Sequence, residues 1–391
     1  MSPLHRSHQL LVRTRCMIGL AVVLLTGLAA APASAQSGVI AFQDACSGRL
    51  YAMRGDGSAR IALPLPQLPQ PTAEHQYRDP WILDVTTSGP LTVVYYVGIV
   101  RVNQNQSTLV DSGLFAVQLD DVGGELRPDP DLPVVRLTLP ADVGFLGVNP
   151  NRARRGSFSP SRDRLALVAN SQAASVLMTA RVDRDMSTLK ITGLSDLVVV
   201  GDLYSLGVPD PTVPAAKGFT GDVDYSPDGS RIVASIYFDL WLVHLTSENT
   251  NAGADLLTAN TDGFAEWKPA YSPEGTRIAY TAGPITASTG GVGGSTTDIY
   301  SLALDTGAVT RVTTNKNSRK AASGRHNAMW SSDGTAIGFS AYTPSTRRIS
   351  PCGSTLVNSE LFLINADGST SAVQITNTNG TSVEVWPKWG W

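Results

Sequence analysis

Few residues of this chain have the types and spacing that catalysis requires. Beyond residue 35 the histidines are His75, His244 and His326, in separate parts of the sequence. The chain has no Gly-x-Ser-x-Gly nucleophile elbow, His-Glu-x-x-His zinc motif, phosphate-binding loop or dinucleotide fingerprint. The glycine-rich run at 290–294 has no strand-to-helix context, so it indicates a flexible loop. The sequence therefore offers separate polar residues and no recognisable catalytic set.

A second set of polar residues recurs where short, apolar, β-rich runs begin. Its members are Asp79, Arg155, Asp222, Asp224, Glu266, Arg325, His326 and Glu384. If the runs lie side by side, these charges converge and could bind a ligand or a peptide. Aromatic residues, which often anchor protein interfaces, accompany them at Tyr77, Trp81, Trp267 and Trp386. The same charges would also keep a narrow channel solvated, and the sequence leaves both interpretations open.

The β-rich runs beside these residues belong to an internal repeat. An aromatic residue, a serine, a proline or second serine, an acid and a glycine precede each run. Full copies begin at Tyr225, Tyr271 and Trp330, and a degraded copy begins at Phe158. Proline fixes φ, the acid bonds to nearby backbone and glycine accepts a positive φ, so each copy predicts a tight turn between antiparallel strands. A second hairpin follows each copy, which gives four strands in each unit.

Repeats of four strands over roughly 40–50 residues are typical of β-propeller blades. We predict six such units, one of them divided between the two ends of the chain. Residues 384–391 resemble the first strand of a unit, and residues 39–63 supply its remainder. The predicted fold is all-β, a single six-bladed β-propeller of four-stranded antiparallel blades over residues 36–391. Pairing of the C-terminal strand with the N-terminal blade closes the ring and removes two exposed sheet edges.

The repeat resembles that of the TolB-like β-propellers, which share the aromatic-Ser-Pro-Asp-Gly phrase, the Asp-Gly turn and a strand ending in Leu-Thr. The resemblance extends over nearly all of the chain after residue 35 and is strongest over residues 222–391. It implies the propeller fold and a docking surface at the mouth of the central channel. We expect no counterpart of the N-terminal α/β domain of TolB proper after Ala35.

The first 35 residues predict an export signal. Arg6, Arg13 and Arg15 precede an apolar stretch at 17–28, and Ala33-Ser34-Ala35 is typical of a cleavage site. The stretch is shorter than the roughly 20 apolar residues of a membrane-spanning helix. We therefore expect cleavage after Ala35, a periplasmic or secreted protein, and no stable membrane insertion.

The charge balance argues against nucleic acid as a partner. The formal net charge is −3, and loss of the basic leader makes the remainder more acidic. We expect a monomer with a protein or peptide partner in the cell envelope or medium, and no cofactor or metal. The main hypothesis is a non-catalytic exported propeller that binds this partner at the channel mouth. The alternative is a lyase or hydrolase acting there on a carbohydrate or lactone, so the enzymatic question stays open.

Two cysteines, Cys46 and Cys352, follow the leader. In the predicted ring both lie between the second and third strands of neighbouring blades. An oxidising compartment would favour a disulfide across the seam. Unpaired thiols and a metal site are the alternatives, although two cysteines without a histidine cluster make a poor zinc site.

Unequal spacing of the repeat predicts extra loops. The principal ones are expected at 182–216, 282–297 and 343–359. Connections between second and third strands, near residues 103, 282 and 343, would emerge on one face of the ring. Loops carry function more often than the strands they join, and they also tolerate insertions.

Overall fold

The structure is a computed structural model that describes most of the chain after the predicted leader. The described residues are 38–44, 48–66, 75–87, 91–103, 106–131, 134–140, 148–170, 175–203, 221–259, 264–286, 291–292, 297–314, 324–343, 358–377 and 384–390. No helix within these ranges is long and apolar enough to cross a membrane. The leader, Cys46 and Cys352 lie outside the described residues, so cleavage and the disulfide stay predictions.

Six antiparallel sheets contain the strands of the described residues, and each sheet is one blade. Blade 1 contains β1 (Val39–Asp44), β2 (Arg49–Arg54) and β3 (Ile61–Ala62). Blade 2 contains β4 (His75–Thr86), β5 (Leu91–Asn103), β6 (Gln106–Val122), β7 (Glu125–Pro128) and β8 (Val135–Leu137). Blade 3 contains β9 (Arg155–Phe158), β10 (Arg164–Asn170), β11 (Ser175–Arg184) and β12 (Ile191–Asp202). A 3-10 turn at Pro150–Arg152 precedes blade 3.

Blades 4 to 6 follow the same plan. Blade 4 contains β13 (Val223–Tyr225), β14 (Arg231–Ile236), β15 (Asp239–Leu245) and β16 (Asn251–Leu256). Blade 5 contains β17 (Phe264–Tyr271), β18 (Arg277–Thr286), β19 (Gly291–Val292), β20 (Asp298–Ala303) and β21 (Val309–Arg311). Blade 6 contains β22 (Arg325–Trp330), β23 (Ala336–Thr343), β24 (Asn358–Asn365) and β25 (Val373–Gln374). The last strand, β26 (Glu384–Gly390), returns to blade 1.

Each blade is a meander that starts at the channel and ends at the outer edge. The innermost strands β26, β4, β9, β13, β17 and β22 contact one another in this order, and β22 contacts β26 again. The ring is therefore closed. This confirms the predicted all-β, six-bladed propeller of four-stranded blades.

The ring closes through β26 and β1. These strands pair antiparallel, with Val39 opposite Gly390 and Asp44 opposite Glu384. The order β26-β1-β2-β3 in blade 1 confirms the predicted pairing of the C-terminal strand with the N-terminal blade. Trp389 of β26 is 4% exposed and packs in an apolar cluster with residues of blades 1 and 6. Closure thus buries a large aromatic side chain as well as a strand edge.

The repeated phrase forms the predicted turns. In blade 4 the Gly229 N–H donates to the Ser226 carbonyl, and Gly229 has φ +73°. The Ser226 hydroxyl donates to Asp228 at 2.5 Å, and the Ser230 N–H donates to the same carboxylate at 3.0 Å. These hydrogen bonds, that from Ser226 first, lower the pKa of Asp228 to about 2. The acid of the phrase therefore has a role in the turn, as the sequence predicts.

The apolar core is divided among the blade interfaces. One cluster joins blade 1 to blade 2, and others join each later pair of neighbours up to blades 6 and 1. Between blades 2 and 3, for example, Leu83 and Leu114 pack with Leu165 and Met178, all fully buried. Each blade is thus stabilised chiefly by its two neighbours.

Hydrogen bonds between innermost strands reinforce this packing in blades 2 to 5. The backbone N–H of the aromatic residue in the repeated phrase donates to a polar side chain of the preceding blade. The three pairs are Phe158 to Asp84 Oδ2 at 2.7 Å, Tyr225 to Ser157 Oγ at 3.2 Å, and Tyr271 to Asp224 Oδ2 at 2.7 Å. We call these three bonds the cross-blade bonds.

The predicted loop at 182–216 was wrong over its first part. Residues up to Arg184 belong to β11, and Ile191–Asp202 form β12, the outer strand of blade 3. The hairpin between them lacks the Asp-Gly signal. Asp185 accepts hydrogen bonds from Ser187 and Thr188, and Leu189 adopts φ +58° where a glycine is usual.

Replacement of Trp389 by alanine should destabilise the protein by about 3–5 kcal/mol, since it removes a buried indole from the seam between blades 6 and 1. Urea unfolding followed by tryptophan fluorescence and circular dichroism measures the loss. Val373→Ala is the matched control. Val373 is 53% exposed on an outer strand, so this substitution should change the free energy of unfolding by no more than about 0.5 kcal/mol. Equal effects of the two substitutions would contradict a seam stabilised by β26.

Candidate functional site at the channel mouth

The innermost strands all begin at one end of the channel. In each blade the chain runs along the innermost strand, turns at the repeated phrase and returns antiparallel. The first residues of these strands therefore share one end of the channel, and the repeated turns share the other. A cavity at the first end is lined from all six blades by Trp81, Arg155, Asp222, Lys268, Asn327 and Lys388, among others. We call this cavity the channel mouth.

Two β-bulges direct side chains of blades 5 and 6 into the channel mouth. The register of β17 shifts between Trp267 and Ala270, and that of β22 shifts between His326 and Met329. At the corresponding positions, Lys268 has φ +55° and Asn327 has φ +61°. Residues other than glycine rarely adopt this left-handed conformation, and such strain is concentrated at functional sites. Both residues line the cavity.

An ionic cluster lies at the mouth. The Arg155 Nε lies 2.6 Å from Asp222 Oδ1, and the Lys268 Nζ lies 4.0 Å from the same oxygen. The Arg155 guanidinium also lies 4.4 Å from the centre of the Trp81 ring, in cation–π geometry. The cluster thus joins blades 2, 3, 4 and 5 around a single carboxylate.

The surroundings of this cluster shift two pKa values. Burial opposes ionisation of Asp222, but the charges of Lys268, Arg155 and Lys388 outweigh it and hold the pKa of Asp222 below its ordinary value. Burial also lowers the pKa of Lys268 well below the ordinary lysine value. Asp222 opposes this decrease, and the two other cations reinforce it.

Deeper in the channel lie Asp84, Ser157, Asp224 and, again, Lys388. Asp224 accepts hydrogen bonds from the Ser157 hydroxyl and the Tyr271 N–H, both at 2.7 Å. Burial nevertheless raises the pKa of Asp224, assisted by the charge of Asp84 and opposed by that of Lys388. Lys388 therefore stabilises the ionised form of Asp224 as well as that of Asp222.

The structure brings together only part of the predicted site. Arg155, Asp222 and Asp224 line the channel. Arg325 instead donates to Asp298 of blade 5 at 3.3 Å. The ring of His326 lies within 3.4 Å of the Thr297 hydroxyl.

The remaining predicted residues, His326, Glu266, Asp79 and Glu384, are not among the described residues that line the channel mouth. His326 also packs on Trp267, with ring centres 6.5 Å apart. The side chain of Glu266 is partly buried, and its backbone N–H donates to the Phe238 carbonyl at 2.8 Å. Asp79 lies in β4 and Glu384 in β26, and their side chains fall outside what the structure describes. Their part in a site stays a prediction.

Sequence reasoning missed Asp84, Lys268 and Lys388. A usable signal was present beside the two lysines, in Lys268-Pro269 and Pro387-Lys388. Proline inside an inner strand indicates a bulge, because it cannot donate to the ladder. A bulge changes the face to which the neighbouring side chain points.

Comparison with known proteins identifies the fold. No protein-family model and no curated protein sequence matches this chain. TolB from Acinetobacter baumannii superposes with a TM-score of 0.52 at 13% identity, over 90% of this chain and 66% of that one. The chain thus spans slightly less than two thirds of the length of this TolB. At this identity the likeness shows the fold alone, a β-propeller.

Two weaker likenesses span most of this chain. A putative TolB from Agrobacterium tumefaciens has a TM-score of 0.43 at 14% identity, over 90% of this chain and 98% of that one. A putative 6-phosphogluconolactonase from Bacteroides uniformis has a TM-score of 0.44 at 15% identity, over 87% of this chain and 82% of that one. Neither bears on the function of this protein.

Replacement of Lys388 by methionine should make stability depend more strongly on pH. Loss of the ammonium raises the pKa of Asp224 further. A carboxyl with a raised folded-state pKa destabilises the fold above its unfolded pKa of about 3.9, and the penalty grows until the pH reaches the folded-state pKa. K388M should therefore cost more stability at pH 7 than at pH 4.5, by about 1.4 kcal/mol for each unit that the pKa rises.

Urea unfolding at both pH values measures this difference. The Asp224→Asn background is the control, because it removes the titrating group and should reduce the pH-dependent part of the loss. An equal cost of K388M at both pH values would show that Lys388 does not act through the channel carboxylates.

Proposed function

We propose that this protein is an exported, non-catalytic propeller that binds a protein or peptide partner at the channel mouth. One observation supports binding above all. The predicted acids and bases of the channel are already held by structural contacts, Asp222 by Arg155 and Asp224 by Ser157 and the Tyr271 N–H. Carboxylates held in this way are fixed in position, which favours a preformed binding surface over proton exchange with a substrate.

The composition of the mouth also favours a peptide. Its wall combines the Trp81 ring, prolines 269 and 387, and the polar groups of Arg155, Asn327 and Lys388. Apolar walls with a few fixed polar groups suit a segment of polypeptide, and tryptophan and arginine are frequent anchors at protein interfaces.

The second part of the proposal is export of the protein from the cytoplasm. The leader at residues 1–35 would direct the chain to the periplasm or the medium, where its partner is expected. An oxidising compartment would also permit the Cys46–Cys352 disulfide across the seam between blades 6 and 1.

A capture experiment tests binding at the mouth. The full-length gene is expressed in its own host with a C-terminal tag, and proteins cross-linked to the exported protein are identified by mass spectrometry. Glu266→Gln, His326→Ala and Glu384→Gln are combined in one variant. We expect the partner captured by the wild type to be reduced at least tenfold with this variant, because it removes three residues of the predicted rim.

A matched variant controls for charge and stability. It combines Glu248→Gln, Asp305→Asn and His244→Ala, which lie at or beside hairpin turns at the opposite end of the blades. The amount of partner captured by this control variant should equal the amount captured by the wild type. Equal loss in both variants, or a turnover of carbohydrate or lactone that the first variant abolishes, would contradict the proposal.

Export and the disulfide have a direct test. The mass of the protein recovered from the periplasm or medium should correspond to residues 36–391, lighter by two hydrogens when reduction is omitted. Non-reducing peptide mapping should link Cys46 to Cys352. A retained leader, or alkylation of both cysteines without reduction, would contradict this part of the proposal.

A further inference from the structure

We propose that the channel mouth binds the free C-terminal carboxylate of a peptide. In this arrangement the carboxylate lies at the ammonium group of Lys388, and the amide N–H of the last peptide residue donates to the side-chain oxygen of Asn327. The inference rests on the proposed function and specifies the ligand of the same site.

The first reason is the charge that the mouth presents. Arg155, Lys268 and Lys388 line the cavity, and Asp222 is the carboxylate among its described lining residues. Asp222 is held by Arg155 at 2.6 Å. Deeper in the channel, Asp84 and Asp224 accept backbone N–H groups through the cross-blade bonds, so their oxygens are already bonded. Among the described residues that line the mouth, basic side chains outnumber carboxylates by three to one, and an anion is the complementary ligand.

The second reason is the position of Lys388. It lines both the mouth and the deeper channel, and it acts on Asp222 and Asp224 through longer-range charge. Within the described residues its ammonium group makes no hydrogen bond or ion pair with protein atoms. An ammonium group has three donors. Those of Lys388 are therefore available to a carboxylate, which forms strong, charge-assisted hydrogen bonds.

The third reason is a buried acceptor at Asn327. This residue is 7% exposed and lines the mouth. Its Nδ2 lies 2.9 Å from the Ser340 hydroxyl oxygen, which itself donates to the His326 carbonyl at 3.2 Å. Because the hydroxyl hydrogen is used in this way, Ser340 must accept from the amide nitrogen. The Asn327 Oδ1 is then left without a donor among the described residues.

A buried carbonyl oxygen without a donor is rare in native proteins and calls for an explanation. Asn327, whose backbone adopts φ +61°, lines the same cavity as Lys388. A ligand that offers a carboxylate to Lys388 and an N–H to Asn327 satisfies both. The last residue of a peptide carries these two groups on the same Cα atom.

The shape of the channel favours a chain end over an acidic side chain. The cavity is lined from six strands, and prolines 269 and 387 form part of its wall. An internal aspartate or glutamate would bring two lengths of polypeptide into this space, whereas a C-terminus enters as one. Trp81 and the stacked Arg155 then lie against the side chain of the last residue.

Affinity selection with short peptides tests the inference. The purified full-length protein is incubated with acetylated tetrapeptides of randomised sequence, made once as free acids and once as C-terminal amides. Retained peptides are counted by mass spectrometry. We expect the free acids to be enriched at least tenfold over the amides, and N327L to reduce their retention about tenfold. Asn251→Leu, on the exposed outer strand of blade 4, is the matched control and should retain them like the wild type.

Two further arms keep the test decisive. Lys388→Gln replaces N327L if that variant does not fold, and it should lose the preference for acids over amides. Acetate and inorganic phosphate are added as competitors at equal concentration. Displacement by either one as effective as by the free peptide acid would identify a small-anion site and overturn the inference.

The outcomes also separate this inference from the proposed function. Equal retention of acids and amides by the wild type, with loss of both in the variant at Glu266, His326 and Glu384, would support peptide binding at the mouth. It would contradict recognition of the C-terminal carboxylate. If the wild type retains neither form of peptide and captures no partner, both the carboxylate inference and the proposed function are contradicted.

Discussion

The cross-blade bonds are the contacts on which the channel depends. Each joins the backbone N–H of an aromatic residue in the repeated phrase to a side chain of the preceding blade, as in Phe158 to Asp84 and Tyr271 to Asp224. A buried carboxylate is costly unless it is hydrogen-bonded or paired, and these bonds offset that cost. In turn they align blades 2 to 5 at the axis, where apolar packing alone is non-directional. The polar lining of the channel is therefore part of the structure and not only a surface left for solvent.

This arrangement explains why cations and carboxylates differ in their availability. The carboxylates serve the fold, as at Asp84 and Asp224, or hold an arginine, as at Asp222. Lys388, on the last strand, offsets their charge, and its ammonium group makes no hydrogen bond or ion pair with the residues that the structure describes. Arg155 and Lys388 offset the charge of these carboxylates inside the channel.

The sequence predicted the fold better than the site. Turn chemistry at Tyr225, Tyr271 and Trp330 is local, so the repeat alone indicated the blades. The site depends on which face each inner-strand residue occupies, and a shift of one residue reverses that face. Bulges at Lys268 and Asn327 make such shifts. Spacing alone therefore missed Lys268, and it gave no indication that Arg325 contacts Asp298.

The strand that closes the ring also contributes Lys388, so the charge in the channel depends on assembly of the ring. β26 pairs with β1, from which it is separated by the whole of the other five blades. A chain that lacks its last strand, or one still being synthesised, has no complete set of charges in its channel. Binding at the mouth, as proposed above, would therefore require every blade to be in place. A ligand held by Lys388 would act as a clasp on the same seam, so the occupied protein should resist opening and proteolysis longer than the empty one.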